Sequence, residues 1–88
     1  MKQPKTPIHP GEILLEEFLE PARITQTEFA GKLGWTRARL NELIKGKRGV
    51  TADAALDLAE ALGTSAKLWM KLQATYDLDQ AMGRRKAA

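Results

Sequence analysis

The sequence predicts an all-α fold of five helices in one domain. Four Ser or Thr residues stand where helix N-caps are expected, and four glycines stand near helix ends, in a consistent order along the chain. With 88 residues, of which 43% are hydrophobic, the chain has enough apolar surface for one core but not for two. We therefore assign residues 9–82 to a single domain, residues 1–8 to a flexible arm and residues 83–88 to a basic tail.

Helix one is predicted from about Gly11 to Glu20, because Pro21 disfavours a helical conformation in the residue before it. His9 is expected to cap this helix at its N-terminus. Pro10 then occupies the first helical position, where its missing N–H costs nothing.

Helices two and three carry the strongest boundary signals. Thr25 is the expected N-cap of helix two, and Glu28, three residues later, completes a capping box. Helix two is predicted to end at Gly34, which can adopt the left-handed conformation after a helix. Helix three is predicted to begin at the N-cap Thr36 and to end at Gly46.

Helices four and five complete the predicted fold. Helix four is expected between Thr51 and Gly63, and helix five between Ser65 and a gradual end near Gly83. The predicted connections are only a few residues long, as they are in compact helical bundles.

Charge is unevenly distributed, although the net charge is only +3. Residues 32–48 carry six bases and one acid, whereas residues 12–20 carry four acids and no base. A local basic patch suits a polyanion, and an acidic helix suits a basic partner.

Helices two and three, joined by a very short turn, match a helix-turn-helix. In that motif a small residue lets the second helix pack closely, a glycine makes the turn, and apolar residues hold the second helix in place. Ala30, Gly34 and the pair Leu40 and Leu43 occupy these positions without a gap in the spacing. We therefore expect helix three to be a DNA-recognition helix.

The outward face of helix three is predicted to contact DNA. The residues expected to read bases are Arg37, Ala38, Asn41 and Glu42. Arginine can pair with guanine and asparagine with adenine, while an alanine methyl group suits thymine and a glutamate accepts from cytosine. The residues expected to contact phosphates are Gln26, Thr36, Arg39, Lys45, Lys47 and Arg48. A basic helix taken alone is more often a solvated face, but here the apolar frame and the turn glycine coincide with the bases.

The chain resembles the XRE-type helix-turn-helix family, the five-helix fold of phage repressors, and more closely the HigA (VapI-like) antitoxins. The matching phrases are HPGEILLEEFLEP, TQTEFAGKLGWTRARLNELIKGKRGVTADAALDLAEALGTS and LWMKLQATYDL. The resemblance implies an antitoxin that represses its own operon as a dimer on a palindromic operator. It also implies a HigB-type, RelE-like mRNA-cleaving toxin as the partner. Two alternatives are a stand-alone XRE-type transcriptional regulator and an interaction module that has lost DNA binding; the basic face argues against the second.

Helix five is predicted to carry a homodimer interface. One apolar stripe, made of Leu68, Trp69, Leu72 and Tyr76, is sufficient to attach the helix to the core. A second stripe lies away from it and consists of Met70, Ala74, Leu78, Ala81 and Met82. A second stripe on so small a domain favours a partner surface, although both stripes could also be buried within one fold.

Helix one is predicted to bind the toxin. Its core arc holds Leu14, Leu15, Phe18 and Leu19, and its opposite arc holds Glu12, Glu16, Glu17 and Glu20. Ile13 falls inside the acidic arc, as an apolar anchor with a charged rim would. A toxin that cleaves RNA must attract phosphate and is therefore expected to be basic. The acidic arc could instead be a solvated face or could keep that side of the protein away from DNA by repulsion.

Catalysis, metal binding and membrane insertion are not expected. The chain has no cysteine and a single histidine, His9, so neither a zinc site nor another cofactor is expected. Glu16 and Glu17 are adjacent and point in different directions, which does not suit a catalytic pair. Trp35, in the turn, is expected to pack at the edge of the core. No apolar run approaches ~20 residues and the N-terminus lacks a signal peptide, so a cytoplasmic location is expected.

Overall fold

The computed structural model describes residues 8–87, which form five helices and no strand. Helix α1 is continuous and consists of α-helical Pro10–Ile13, π-helical Leu14–Leu19 and α-helical Glu20–Ala22. The others are α2 (Gln26–Leu33), α3 (Arg37–Ile44), α4 (Ala52–Leu62) and α5 (Ala66–Ala87). The predicted all-α, five-helix fold is confirmed for these residues. Apart from Ile8, the predicted arm lies outside the described part of the chain.

The predicted N-caps of the first two helices are confirmed. His9 Nδ1 accepts a hydrogen bond from the Gly11 N–H at 2.9 Å. Thr25 Oγ1 accepts from the Glu28 N–H at 3.1 Å, and Glu28 Oε1 accepts from the Thr25 N–H at 3.0 Å, which completes the capping box. These hydrogen bonds also hold the pKa of the Glu28 carboxyl below its usual range, because they favour the charged form.

The remaining helices begin at the predicted caps as well. Their capping oxygens, each of which accepts from a backbone N–H three residues later, belong to Thr36, Thr51 and Ser65. Four of the five N-termini are thus satisfied by a Ser or Thr hydroxyl.

Helix α1 does not stop at Pro21, contrary to the prediction. It continues to Ala22, and Arg23 then adopts the left-handed conformation with φ +56°. In an α-helix the Pro21 ring would meet the Glu17 carbonyl and remove a hydrogen bond. The preceding turns are π-helical, with hydrogen bonds such as Glu20 N–H to the Leu15 carbonyl, and this wider register accommodates the ring.

Helix α5 does not fade at Gly83, contrary to the prediction. It runs through this glycine to Ala87, although a glycine in a helix interior costs about 1 kcal/mol relative to alanine. Three bases in the last turn, Arg84, Arg85 and Lys86, interact favourably with the negative end of the helix dipole and help to maintain the helix.

All five helices contribute to the core. Its largest fully buried side chains are Trp69, Phe29, Leu14, Leu19, Leu40, Leu43 and Leu58. The Phe18 and Trp69 rings lie 5.5 Å apart and connect α1 to α5. Leu68, which was predicted to join this core stripe, is instead 37% exposed. The buried side of α5 is centred on Trp69, and Leu68 lies about 100° away from it around the helix.

The first turn of α1 lies directly against the last turn of α3. A Cβ atom on Gly11 would be 2.8 Å from the Ile44 Cα and closer still to the Leu43 carbonyl. No side chain fits there, so glycine is required by close backbone approach and not by its φ angle.

We expect Gly11→Ala to lower the free energy of unfolding by about 1–3 kcal/mol or more, because the added methyl group must push two backbones apart. Gly31→Ala is the matched control: Gly31 is also helical, but its Cβ position has no atom within 4 Å. That variant should gain about 0.5–1 kcal/mol. Urea unfolding followed by circular dichroism compares the two. A Gly11→Ala midpoint at or above wild type would contradict the required close approach.

Candidate nucleic-acid interface

The turn between α2 and α3 is held by a glycine and by backbone hydrogen bonds. Gly34 has φ +74° and ψ +25°, a left-handed conformation that side-chain-bearing residues rarely adopt. The Trp35 N–H donates to the Ala30 carbonyl at 2.9 Å, which closes the end of α2. Ala30, Leu40 and Leu43 are all buried. The small residue, the turn glycine and the packing pair of the predicted motif are therefore all in place.

Trp35 fastens this turn to α4. The residue is 9% exposed, as predicted for the edge of the core, and its Nε1–H donates to Asp57 Oδ2 at 2.9 Å. The Arg39 guanidinium carbon lies 3.9 Å from the centre of the Trp35 ring. Stacking uses the face of the guanidinium and leaves its N–H groups free to donate at the edges. Arg39 is thus held in position while it remains able to bind an anion.

The base-reading residues predicted on α3 lie in two kinds of environment. Arg37 and Ala38 are exposed in the first turn of the helix. Asn41 is half-buried, and its Nδ2 donates to Gln26 Oε1, on the first residue of α2, at 3.0 Å. This hydrogen bond orients the Asn41 amide and leaves Oδ1 and a second N–H available. A bidentate contact with adenine needs one acceptor and one donor of this kind.

Glu42, the fourth predicted base reader, is paired with Arg48. Glu42 Oε1 accepts from Arg48 Nε at 3.0 Å and from Nη2 at 2.7 Å. This is the one ion pair within residues 8–87, and the two side chains are 45% and 48% exposed, respectively. Such an exposed pair contributes only about 0–1 kcal/mol. A phosphate can therefore compete for Arg48, and the second carboxylate oxygen of Glu42 remains free.

The loop that follows α3 carries three of the predicted phosphate contacts, on Lys45, Lys47 and Arg48, all of them exposed. Its far end is held by α5, because Gln73 Oε1 accepts from the Val50 N–H at 2.7 Å. The role of Gln73 was not among the sequence-based predictions. A polar residue four positions after the core residue Trp69, on the buried side of the same helix, is the signal that could have revealed it.

His9 supports the same loop from the other side. Its ring lies 4.8 Å from the Tyr76 ring in an edge-on arrangement and packs against Gly46, which has φ +76°. Burial lowers the pKa of His9 below its ordinary value of 6.5, and this shift is opposed by the Arg48 backbone and by the carboxylates of Asp77 and Glu12. The cap hydrogen bond requires an unprotonated Nδ1, in agreement with this direction.

The remaining predicted site residues lie on α1 and α5. The dimer residues are exposed, namely Met70, Ala74, Leu78 (61%) and Met82 (57%), whereas Ala81 is half-buried. The carboxylates of the predicted toxin surface, Glu12, Glu16, Glu17 and Glu20, are exposed. Ile13 is half-buried rather than fully exposed. The π-helical turns that follow it shift the angular spacing away from that of an ideal wheel.

Within residues 8–87, no three His, Asp or Glu side chains come together as a metal site requires. No helix in this part of the chain is both long enough and apolar enough to cross a membrane.

The chain is similar to known proteins over most of its length. A family model described as Helix-turn-helix (HTH_3) matches residues 15–69. Virulence-associated protein I of Dichelobacter nodosus is 43% identical over 74 residues, which cover 84% of this chain and 68% of that protein. Antitoxin HigA-1 of Vibrio cholerae serotype O1 is 41% identical over 78 residues, which cover 88% of this chain and 72% of that one.

A solved structure shows the same fold with DNA. The structure of Pseudomonas aeruginosa antitoxin HigA with the higBA promoter matches with a TM-score of 0.87 and 38% identity. The match covers 92% of this chain and 88% of the other.

We expect the support of the loop by His9 to depend on pH. The pKa of His9 is lower in the folded chain than in the unfolded chain. At pH values between these two pKa values, the unfolded chain therefore binds more protons. The stabilisation is therefore fully present above pH 6.5 and is lost as the pH falls through and below that value. His9→Asn keeps an N-capping oxygen but does not titrate.

The test compares urea unfolding of the wild type and His9→Asn at pH 8 and at pH 5.5. The wild type should lose more stability than the variant on acidification, whatever their difference at pH 8. Equal losses in the two proteins would show that His9 makes no pH-dependent contribution.

Proposed function

The chain belongs to the helix-turn-helix family, and we propose that it is the antitoxin of a type II toxin–antitoxin module that represses its own operon. This family comprises DNA-binding regulators and not enzymes, and its members similar to this chain include HigA antitoxins. The observation that carries the DNA-binding proposal is the orientation of Asn41 by Gln26, next to the exposed Arg37. A repressor acts where the DNA is, so we place the protein in the cytoplasm.

In the proposed complex α3 lies in the major groove. Arg37, Ala38 and Asn41 face base edges from the first turns of the helix, where a recognition helix meets them. Glu42 faces the groove with its free oxygen, the atom that would accept from cytosine N4.

The proposed phosphate contacts lie on the strands that border this groove. They are made by Gln26, Thr36, Arg39, Lys45, Lys47 and Arg48. Gln26 can bind Asn41 and a phosphate at the same time, because its Oε1 accepts from Asn41 while its Nε2 keeps two N–H donors for the phosphate. Stacking on Trp35 holds Arg39 in position in the free protein, which reduces the ordering cost of its contact.

The proposal includes a homodimer on a palindromic operator. One α3 reads one half-site, and two copies related by a two-fold axis read half-sites about one DNA turn (~34 Å) apart. The exposed stripe Met70, Ala74, Leu78 and Met82 is the proposed contact.

The proposed toxin surface is the acidic side of α1. Four exposed carboxylates lie on the same helix as the half-buried Ile13, and a RelE-like toxin that cleaves mRNA needs a basic surface to hold it. Carboxylates at the rim accelerate association, while a buried apolar anchor slows dissociation.

For DNA, we expect Arg37→Ala and Asn41→Ala each to cost about 1–3 kcal/mol on the cognate operator but little on scrambled DNA, because each removes a base contact. Lys47→Ala is the control. It should weaken all duplexes alike and reduce the salt dependence by about one unit, as a lost phosphate contact does. Fluorescence anisotropy titrations at several salt concentrations distinguish the two patterns. Equal weakening of both DNAs by Arg37→Ala would contradict base reading.

For the toxin, we expect Ile13→Arg to abolish binding and neutralisation, because it places a cation where a basic partner must dock. Helicity and operator affinity should stay near wild type. Leu56→Arg is the matched control, since Leu56 is a 59% exposed leucine on α4 outside both proposed surfaces. Co-expression with the product of the neighbouring gene, followed by pull-down and growth measurement, provides the readout.

Two outcomes would change the assignment. Neutralisation that survives Ile13→Arg would place the docking surface elsewhere on the chain. A wild-type protein that binds its operator but captures and neutralises no neighbouring gene product would be a stand-alone transcriptional regulator instead.

A further inference from the structure

A hollow lies between α3 and the start of α4, at the edge of the proposed DNA surface. Its volume is about 160 Å³, well above the ~10–15 Å³ that one water needs. Arg39 on α3, Arg48 in the following loop and the N-cap Thr51 form its polar lining, and Leu43 and Ala54 belong to its apolar lining. None of the described residues that line it is acidic. The hollow therefore brings two cations together without an anion.

The carboxylates that could neutralise these cations are paired outside the hollow. Glu42 accepts from Arg48 at 3.0 and 2.7 Å, and Asp57 Oδ2 accepts from the Trp35 Nε1–H at 2.9 Å. Arg39 forms no ion pair within residues 8–87, and its guanidinium carbon lies 3.9 Å from the centre of the Trp35 ring. Two guanidinium groups that face one hollow repel each other, so an anion between them is favourable.

The hollow lies on a flank of α3, next to the face that is proposed to read bases. At 100° per residue, Arg39 lies about 60° beyond Glu42, on the side away from Asn41. The hydrogen bond between Gln26 and Asn41 lies on the other flank. A recognition helix in the major groove has one DNA strand along each flank. The hollow and Gln26 would therefore face different strands.

We propose that a single phosphate of the operator backbone lies in this hollow, bound by Arg39 and Arg48 together, and that Asp57 is a positioning residue that acts on Arg39 through Trp35. Each guanidinium presents paired N–H donors in a fixed fork, and one phosphate has enough oxygens to accept from both. The inference rests on the proposed DNA binding and specifies how two of its phosphate contacts are made.

The start of α4 adds to the attraction. Thr51 Oγ1 accepts from the Ala54 N–H at 3.2 Å, which leaves the Thr51 O–H free to donate to the phosphate. The positive end of the α4 dipole also points toward this side, although Asp53 in the first turn offsets part of it. The two guanidinium groups therefore supply most of the attraction.

Asp57 orients Arg39 without touching the phosphate. Its hydrogen bond to Nε1 fixes the rotation of the Trp35 ring, and the face of that ring carries the Arg39 guanidinium. A side chain that is already oriented loses less conformational entropy on binding. The negative charge of Asp57 would by itself oppose DNA binding, so the charge and the positioning effect have opposite signs.

A double-mutant cycle tests whether the two arginines share one phosphate. Arg39→Ala and Arg48→Ala should each weaken operator binding ~10-fold, but the double variant only ~20–30-fold, because one arginine alone binds the phosphate without a like charge beside it. The salt dependence of the double variant should fall by about one unit, as for one lost phosphate contact. Two separate phosphates predict ~100-fold and about two units. Fluorescence anisotropy titrations at several salt concentrations give both quantities.

The cycle has two controls. Arg39→Ala combined with Lys47→Ala removes contacts with two different phosphates, and should cost ~100-fold and about two units of salt dependence. Removal of Arg48 also frees the Glu42 carboxylate, which repels DNA. The cycle is therefore repeated with Glu42→Gln in all four proteins, where the same departure from additivity is expected.

Operators that carry one neutral methylphosphonate at a time locate the bound phosphate. At one position for each bound copy of the chain, the replacement should weaken wild-type binding ~10-fold but weaken the double variant less than ~2-fold, because that contact is already absent. If Arg39→Ala and Arg48→Ala respond to two different positions, the shared site is excluded.

Inorganic phosphate distinguishes the operator backbone from free phosphate as the ligand. It is titrated into the free protein at constant ionic strength and followed by tryptophan fluorescence, because Trp35 lines the hollow whereas Trp69 is fully buried. A saturable response that needs both arginines, together with full operator affinity of the double variant, would assign the hollow to free phosphate and overturn the proposal.

Asp57→Ala tests the positioning role. It should weaken operator binding ~3-fold when Arg39 is present and not at all in the Arg39→Ala protein. Asp57→Asn keeps an acceptor for the Trp35 N–H and should not weaken binding. Glu60→Ala is the charge control: it removes an exposed carboxylate from the same helix and should leave binding unchanged or slightly stronger. Circular dichroism confirms that the variants are folded. A loss in Asp57→Ala that persists without Arg39 would overturn the positioning role.

These failures can be told apart from failure of the proposed function. A wild-type chain that prefers its operator, combined with a ~100-fold loss in the double variant, overturns the shared phosphate alone. A wild-type chain that binds its operator no better than scrambled DNA overturns the proposed function, and the inference with it.

Discussion

The arrangement of this domain depends on the close approach of two backbones at Gly11. The first turn of α1 presses on the last turn of α3, and no side chain fits between Gly11 and the Leu43 carbonyl. Because of this contact, the position of α3 is set by backbone packing at its C-terminal end, as well as by the glycine turn at its N-terminal end. His9, two residues before Gly11, caps α1 with one face and supports the loop after α3 with another. Helix α3 is therefore held in position at both ends.

Helix α5 connects the proposed DNA contacts to the proposed dimer contact. Its inner side holds the loop through the hydrogen bond from the Val50 N–H to Gln73 and through the packing of Tyr76 on His9. Its outer side carries Leu78, which is 61% exposed. Gln73 also donates to Asp77 at 2.9 Å, so its amide cannot rotate freely. Two copies joined along α5 would thus fix the relative positions of the two sets of cations that are proposed to bind phosphate.

The sequence predicted those features that depend on neighbours in the chain. The capping box joins Thr25 to Glu28 within three residues, and a left-handed Gly34 needs only the turn that it makes. The hydrogen bond between Gln26 and Asn41 spans 15 residues and depends on how α2 and α3 pack, so a helical wheel shows the face but not the partner. The π-helical turns in α1 do not follow from the sequence pattern: Pro21 predicts the end of an α-helix, whereas the wider π-helical register accommodates its ring.

The ion pair of Glu42 and Arg48 would make the proposed base reading and the proposed phosphate binding interdependent. In the free protein Glu42 partly neutralises Arg48, so the positive charge of the basic patch is smaller than its number of cations suggests. In the proposed complex a phosphate would take Arg48, and both oxygens of Glu42 would then be available to the groove. Opposite cytosine, the Glu42 carboxylate would find a hydrogen-bond donor. Opposite any other base it would stand unpaired beside the DNA. Since the exposed ion pair contributes little stability, its loss would cost little on an operator with cytosine at this position. The unpaired carboxylate would disfavour sequences that lack it.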